Sequence, residues 1–211
     1  MDPDLYAYPV TDRPWLRTNF VSTVDGAAHD VSGVTASLGG DADQEVFQLL
    51  RKLADVVMVG AGTARIEKYR SSSKPLALVS RRLDIPERVI GPNLIVITTT
   101  DAPSDRVNAL RAAGAEVMAY GEIDIEWSAV LDDFDARGWR HILCEGGPTL
   151  HGDLVSKDLV DEVCLTIAPT LTSGDAPRIA HSRLAVDHAM TLAHAVPVGD
   201  VLLTRWVRDR T

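Results

Sequence analysis

Apolar residues along this chain fall into short unbroken runs separated by stretches of helical period, and that rhythm predicts the architecture. Residues 15–24 (WLRTNFVSTV) read as a first strand that stops at the turn signal Asp25-Gly26. Residues 27–40 are small, polar and glycine-rich, the composition of a loop. Over 41–53, Val46, Leu49, Leu50 and Leu53 recur on one face at the helical period. Val56 to Val59 then runs straight into Gly60, as a strand buried on both faces does. Leu76 to Val79 and Leu94 to Ile97 repeat that pattern. Pro103 opens a helix that Gly114 closes, and 115–119 is another strand. Trp127, Val130, Leu131 and Phe134 mark the next helix, with Gly138 just past its end. Ile142 to Cys144 is the strand that follows.

The last third has a different texture. Val163, Leu165 and Ile167 alternate with Cys164 and Thr166. Residues 189–196 and 200–207 are strand candidates joined around Pro197-Val198-Gly199-Asp200, a spacing that suits a hairpin. The expected fold is therefore α/β, with a mostly parallel central sheet, helices on both faces and antiparallel C-terminal strands. A chain of 211 residues without repeats or long linkers is expected to form one domain, 1–211, and the serine run 71–73 reads as a mobile loop.

Composition narrows the function classes. The chain is 45% hydrophobic and 24% charged, as soluble globular proteins are. A formal net charge of −9 argues against nonspecific nucleic-acid binding, which needs a basic face. Local positive charge is offered by Arg65, Lys68, Arg70 and Lys74. Cys144 and Cys164 sit in apolar runs and are expected to be buried free thiols. The six histidines show no metal-ligand spacing, and neither H-E-x-x-H nor G-x-S-x-G occurs, so no metal site is expected. No apolar run is long enough to span a bilayer, and Met1-Asp2-Pro3-Asp4 does not resemble a signal peptide; the expected location is cytoplasmic.

Two glycine turns carry the candidate chemistry. In Glu145-Gly146-Gly147-Pro148-Thr149-Leu150 a carboxylate ends a buried strand, and Pro148 occupies a first helical position. Glycines admit a ligand close to the backbone, and a helix start supplies free N–H groups and positive dipole for a phosphate. Gly60-Ala61-Gly62-Thr63 follows a strand in the same way, although Arg65 replaces the third glycine of a strict dinucleotide fingerprint. At the end of the strand 76–79, Ser80 and Arg81 suit the 2′-phosphate of NADP; a solvated charged turn is the competing reading. Thr98, also at a strand end, suits a cofactor hydrogen bond or simple turn chemistry. Asn19 and Thr23 share a face of the first strand, whereas Ser22 and Asp25 need the turn to converge with them.

With these residues in view, the chain resembles the reductase domain of riboflavin biosynthesis, a family with a dihydrofolate-reductase-like fold. The motifs that carry the resemblance are Ser22-Thr-Val-Asp25-Gly26, Val59-Gly-Ala-Gly-Thr63, Glu145 to Leu150, and Leu159-Val-Asp161-Glu162 leading to Ile167-Ala-Pro-Thr-Leu171. The H-x-E and P-C-x-x-C elements of the deaminase found upstream in bifunctional members are absent, so a stand-alone reductase is expected. The resemblance implies NADPH, a homodimer, and a substrate such as 5-amino-6-(5-phosphoribosylamino)uracil or its 2,5-diaminopyrimidinone equivalent. It places Gly60 to Thr63, Ser80 and the 146–150 turn at the cofactor, and Asn19, Ser22, Asp25 and Glu145 at the substrate. Many relatives carry Asp-Asp-Pro and then a substrate-binding arginine after the glycine turn. Here the stretch is Arg65 to Arg70, with Glu67 and Arg70 as the expected substitutes and Arg70 or Lys68 facing the phosphate.

The chemistry expected is hydride delivery to the first sugar carbon of an imine. Asp25 and Glu145 are the candidate catalytic carboxylates, and either would need a raised pKa to act as the acid. Glu145 has an alternative role in binding the pyrimidine or ordering the ribose. Two other readings stand beside this one: an NADPH reductase of the same fold acting on a dihydropterin or another imine, and a noncatalytic dinucleotide-sensing module.

Overall fold

A computed structural model of the protein describes residues 1–35 and 37–210. Position 36 of the expected loop 27–40, and position 211 of the expected domain, lie outside the described residues. The elements run β1 (Trp15–Thr23), α1 (Gly40–Leu53), β2 (Val56–Gly60), α2 (Ala61–Ile66), β3 (Leu76–Val79), β4 (Leu94–Thr98), α3 (Ser104–Ala112), β5 (Glu116–Ala119), α4 (Trp127–Ala136), β6 (His141–Cys144), α5 (Pro148–Ser156), β7 (Glu162–Ala168), β8 (Met190–Val198) and β9 (Val201–Arg208). Among the described residues the strands form one sheet in the order β5-β4-β3-β2-β6-β1-β7-β9-β8.

The pairs from β5 across to β7 are parallel, and β9 runs antiparallel to β7 and β8. The apolar runs are explained by burial on both sides. Val57, Leu76 and Val96 pack in one core with Val46 and Leu50 of α1, Ala61 and Ala64 of α2 and Leu110 of α3. Val56, Met58, Ile95 and Ile97 face the other way, against Trp127, Val130 and Phe134 of α4 and Leu150 and Leu154 of α5. Such strands have no polar face, which is why they read as continuous hydrophobic blocks.

Two features depart from the sequence reading. The glycine turn after β2 continues at once into α2, whose N-cap Gly60 is extended at φ −71° and ψ 142°. Glycine's poor helix propensity hid this short helix. On β7 the period of two is present, but Glu162, Cys164, Thr166 and Ala168 are buried while Val163, Leu165 and Ile167 are only half-buried. The reason is an ion pair inside the sheet. Arg17 and Glu162, both fully buried, meet at 2.6 Å, and Glu162 also accepts from Trp15 Nε1 at 3.0 Å and Arg205 Nε at 2.9 Å. The buried thiols are as expected: Cys144 and Cys164 are free, and burial pushes the Cys144 pKa up to about 12.

The order of crossovers positions the site. The chain leaves β1, builds β2 to β5 outward on one side, then returns to insert β6 between β2 and β1. The carboxyl ends of β1, β2 and β6 therefore meet at one edge, where ligands of open α/β sheets collect.

Candidate active site

The β2–α2 and β6–α5 turns touch. Gly60 N–H donates to the Gly146 carbonyl at 2.6 Å. A Cβ on Gly147 would lie 2.4 Å from Thr63 Oγ1, and one on Gly146, which sits at φ +83°, would lie 2.8 Å from the Phe20 ring. The Gly146-Gly147 peptide is cis. A side chain at Gly146 would be strained by the positive φ and would displace Phe20, and one at Gly147 would displace Thr63. Pro148 begins α5, as its sequence position suggests, and the first amides of a helix have no partner within it. Phe20 is stacked on His151 of α5, ring centroids 4.6 Å apart, which backs the turn with a rigid aromatic wall. His151 Nδ1 pairs with the Ile179 carbonyl, and burial lowers the ring's pKa to about 4, so it is neutral.

Beside the two turns lies a cavity of about 690 Å³. Its wall from α1 carries Asp43, Phe47 and Arg51, spaced four apart and so aligned on one helix face. Asn19 enters from β1, Thr63 from α2, Glu145, Gly147 and Pro148 from the β6–α5 turn, and Glu67 to Arg70 with Ser72 to Lys74 from the segment after α2. Lys68, Arg70 and Lys74 give this end a basic rim in an otherwise acidic chain.

Glu145 is the centre of the polar wall. Arg51 Nε and Nη2 donate to its Oε1 and Oε2, each at 2.7 Å, and the Tyr69 hydroxyl also donates to Oε2. A forked pair of this kind fixes orientation as well as charge. The Arg51 guanidinium lies 4.3 Å from the Phe47 ring centroid. Burial opposes the Arg51 charge, but Glu145 outweighs it and holds the guanidinium protonated. Burial, reinforced by Glu145, raises the Tyr69 phenol well above its ordinary value, so it remains a neutral donor.

The sequence-derived residues divide by position. Asn19, Thr63, Glu67, Arg70, Glu145, Gly147 and Pro148 line the cavity. Gly60, Ala61, Gly62, Gly146, Thr149 and Leu150 belong to the paired turns beside it. Ser80 and Arg81 follow β3, with Arg81 exposed and 3.3 Å from Asp124. Thr98 ends β4, buried, and its hydroxyl has no partner among the described residues. Ser22 and Asp25 lie outside the cavity lining. Ser22 is on the opposite face of β1 from Asn19. Asp25 is exposed, and its carboxylate accepts from the Thr23 hydroxyl and from the amides of Thr172 and Ser173. Those bonds, the Thr23 one first, lower its pKa to about 2, the opposite of what a general acid requires. Glu67 is also engaged: its Oε1 accepts from Thr35 N and Oγ1, both at 3.0 Å, tying the loop after β1 to the end of α2.

Arg51, Phe47, Tyr69 and Asp43 were not singled out from sequence. Arg51 stands in the last turn of α1, where a cation reads as a complement to the helix dipole. The available signal was the four-residue spacing of Asp43, Phe47 and Arg51 on the face that meets the sheet edge.

Together, the sheet order and the paired glycine turns define an α/β protein with a basic-rimmed pocket at the carboxyl edge of its central strands. The chain belongs to the RibD C-terminal domain family, whose sequence pattern matches residues 14–204. It is 29% identical over 189 residues to the 2,5-diamino-6-ribosylamino-4(3H)-pyrimidinone 5′-phosphate reductase of Archaeoglobus fulgidus, covering 79% of this chain and 86% of that one. It is 29% identical over 177 residues to the enzyme of the same name from Methanothermobacter thermautotrophicus, covering 77% and 81%. Among solved structures, a pyrimidine reductase-like protein from Corynebacterium diphtheriae superposes with a TM-score of 0.80 at 24% identity, covering 94% and 93% of the two chains. A dihydrofolate reductase from Enterococcus faecalis, solved with NADP(H), matches at 0.55 and 11% identity over 92% and 96%, a likeness of fold alone.

Proposed function

We propose that this protein is an NADPH-dependent reductase of a phosphorylated ribosylaminopyrimidine in riboflavin biosynthesis. The observation that carries the reading is the pairing of two glycine turns, Gly60 to Thr63 and Gly146 to Leu150, beside a basic-rimmed cavity centred on Glu145. The names of the relatives agree with it. The turns fit a dinucleotide: Cβ atoms at Gly146 and Gly147 would collide with their neighbours, and the first turn of α5 offers unpaired amides. Gly60, Ala61, Gly62, Thr63, Gly146, Gly147, Pro148, Thr149 and Leu150 would hold the pyrophosphate and nicotinamide half. Thr98, with its unpartnered hydroxyl, joins them, and Ser80 and Arg81 would take the 2′-phosphate. The bound cofactor would supply the hydride.

The chain's own residues bind and orient. Lys68, Arg70 and Lys74 neutralise the substrate phosphate. Glu145 locks Arg51 and Tyr69 and thereby shapes the wall along the opened sugar; it organises the site rather than donating a proton. Addition of hydride to the first sugar carbon breaks the C=N π bond, and the nitrogen takes a proton from solvent. Asp25 anchors the 172–173 segment to the end of β1, and Glu67 anchors the loop after β1.

A homodimer is the proposed assembly. Leu192 and Val198 on β8 and Leu171 and Leu184 before it are exposed apolar side chains that a second copy would cover. A cytoplasmic setting suits free buried thiols. Among the described residues no helix is long and apolar enough to cross a membrane. Incubation with NADPH and the ribosylaminopyrimidine phosphate tests the activity. Loss of reduced nicotinamide with formation of the ribitylamino product supports it. NADPH binding without turnover on this substrate overturns the substrate assignment, and turnover of a dihydropterin in its place would favour the alternative reductase.

A further inference from the structure

Two side-chain oxygens point to a ligand that brings its own donors. Asn19 Oδ1 and Asp43 Oδ1 are buried and have no hydrogen-bond partner among the described residues, and both residues line the cavity. They come from different elements, β1 and α1. The sheet register explains why they face one space. Asn19 and Val21 share a face of β1, and Val21 is paired with Thr166 of β7, whose hydroxyl lies beside the Asp43 carboxyl. A buried acceptor without a partner is costly, so two of them facing one cavity point to a ligand that donates to them.

The cavity also has a direction. Asp43 and Arg51 are two helical turns apart on α1, about 12 Å along its axis. Arg51 is at one end, where Lys74 Nζ donates to the Ala54 carbonyl just past α1, and Asp43 is at the other; Asn19 follows Thr18, the register partner of Cys144, and so enters beside Glu145. A ribosylaminopyrimidine phosphate has the same polarity: phosphate at one end, a ring bearing several N–H donors at the other. Phe47, between Asp43 and Arg51 on the helix face, offers an aromatic wall for the ring.

We propose that Asp43, with Asn19, reads the C2 edge of the pyrimidine and selects a 2-amino-pyrimidin-4-one over the corresponding uracil. This deepens the reductase reading and rests on it for the orientation of the substrate. In the 2-amino ring, N3–H and the 2-amino group are adjacent coplanar donors, which a carboxylate accepts in parallel. In the uracil the C2 substituent is a carbonyl oxygen, which would face the carboxylate acceptor to acceptor. Asn19 Oδ1 accepts from a further N–H of the ring. Sites that hydrogen-bond a substrate group reject analogues lacking it strongly, because buried polar atoms are then left unpaired.

The test compares two free bases that differ only at C2, 2,5,6-triaminopyrimidin-4-one and 5,6-diaminouracil, by calorimetric titration of the intact protein. Wild type should bind the 2-amino base at least about tenfold more tightly, one charge-assisted hydrogen bond's worth. Asp43→Asn, which can turn an amide donor to the C2 carbonyl, should abolish or invert that ratio. Thr166→Val removes the neighbouring hydroxyl and keeps the carboxylate, so it should leave the ratio near the wild-type value. Equal affinities in wild type, or an unchanged ratio in Asp43→Asn with a wild-type melting temperature, would overturn the proposal. If Asp43→Asn does not fold, Asn19→Leu replaces it and should weaken the 2-amino base at least about tenfold; undiminished affinity overturns the proposed pair. Base binding does not require turnover, so a failed reductase assay with a preserved base preference counts against the reaction and not against this subsite.

Discussion

Glu145 acts as a buried acceptor with three donors already in place, and that decides what its removal should do. Arg51 and Tyr69 reach it from positions far away in the sequence, so the wall of the cavity depends on one carboxylate. Glu145→Gln keeps the shape, loses the forked ion pair and frees Arg51 to move. Displacement of a positioning group by about 1 Å can cost about 100-fold, so kcat/KM should fall by about that factor while NADPH affinity stays near wild type. Steady-state kinetics with a fluorescence titration of NADPH check both halves. Arg70→Ala should behave differently, raising KM for the phosphorylated substrate about tenfold or more with a smaller change in kcat, because it would remove one of the proposed charge-assisted contacts to the phosphate.

Asp25 and His151 give the protein two acid windows. Asp25 has a folded pKa of about 2, below its ordinary value, so its contribution is present above about pH 4 and is lost as pH falls through about 2. His151 is held neutral with a folded pKa of about 4, so the unfolded chain binds its proton first, below about pH 6.5. Stability therefore falls between about 6.5 and 4 from His151 and again towards 2 from Asp25. Melting temperature against pH should show the upper step vanish in His151→Gln and the lower one shrink in Asp25→Asn. An unchanged upper step in His151→Gln would remove the histidine from this account.

At the scale of elements, the paired turns make the sharpest demand. Gly147→Ala places a methyl group 2.4 Å from Thr63 Oγ1. Overpacking of this kind costs about 1–3 kcal/mol, and here it also pushes α2 from α5. Melting temperature and NADPH affinity should both fall, and Thr63→Ala should restore part of the loss in the double variant, since the two sites touch. Failure of that rescue would show that the clash is relieved elsewhere.

The elements themselves were largely legible. β2, β3, β4 and β6 are buried on both faces, so their apolar runs announce them, and Pro148 and Gly138 mark helix ends by their backbone preferences. The misses have physical causes. α2 is set by its contact with the β6–α5 turn, which no local propensity reports. The inward face of β7 is decided by Arg17 and Arg205 pairing with Glu162, so its apolar residues mislead. The paired glycine turns follow a local pattern and could be found by reading along the chain. Arg51, Tyr69 and Asp43 acquire meaning only when β6 inserts between β2 and β1, a long-range event that a linear reading does not contain.

At the scale of the whole molecule, the sheet order creates one edge where the glycine turns, basic rim and polar wall converge, and that edge is the proposed site of hydride transfer. A sensing module on the same fold would bind NADPH and change nothing else. The most direct measurement uses NADPH deuterated at the transferred position of the nicotinamide, with the ribosylaminopyrimidine phosphate and the purified protein, and product analysis by mass spectrometry and NMR. The account predicts one deuterium in the product, bound to the first carbon of the ribityl chain. NADPH binding with no oxidation, or oxidation with no deuterium at that carbon, would contradict it.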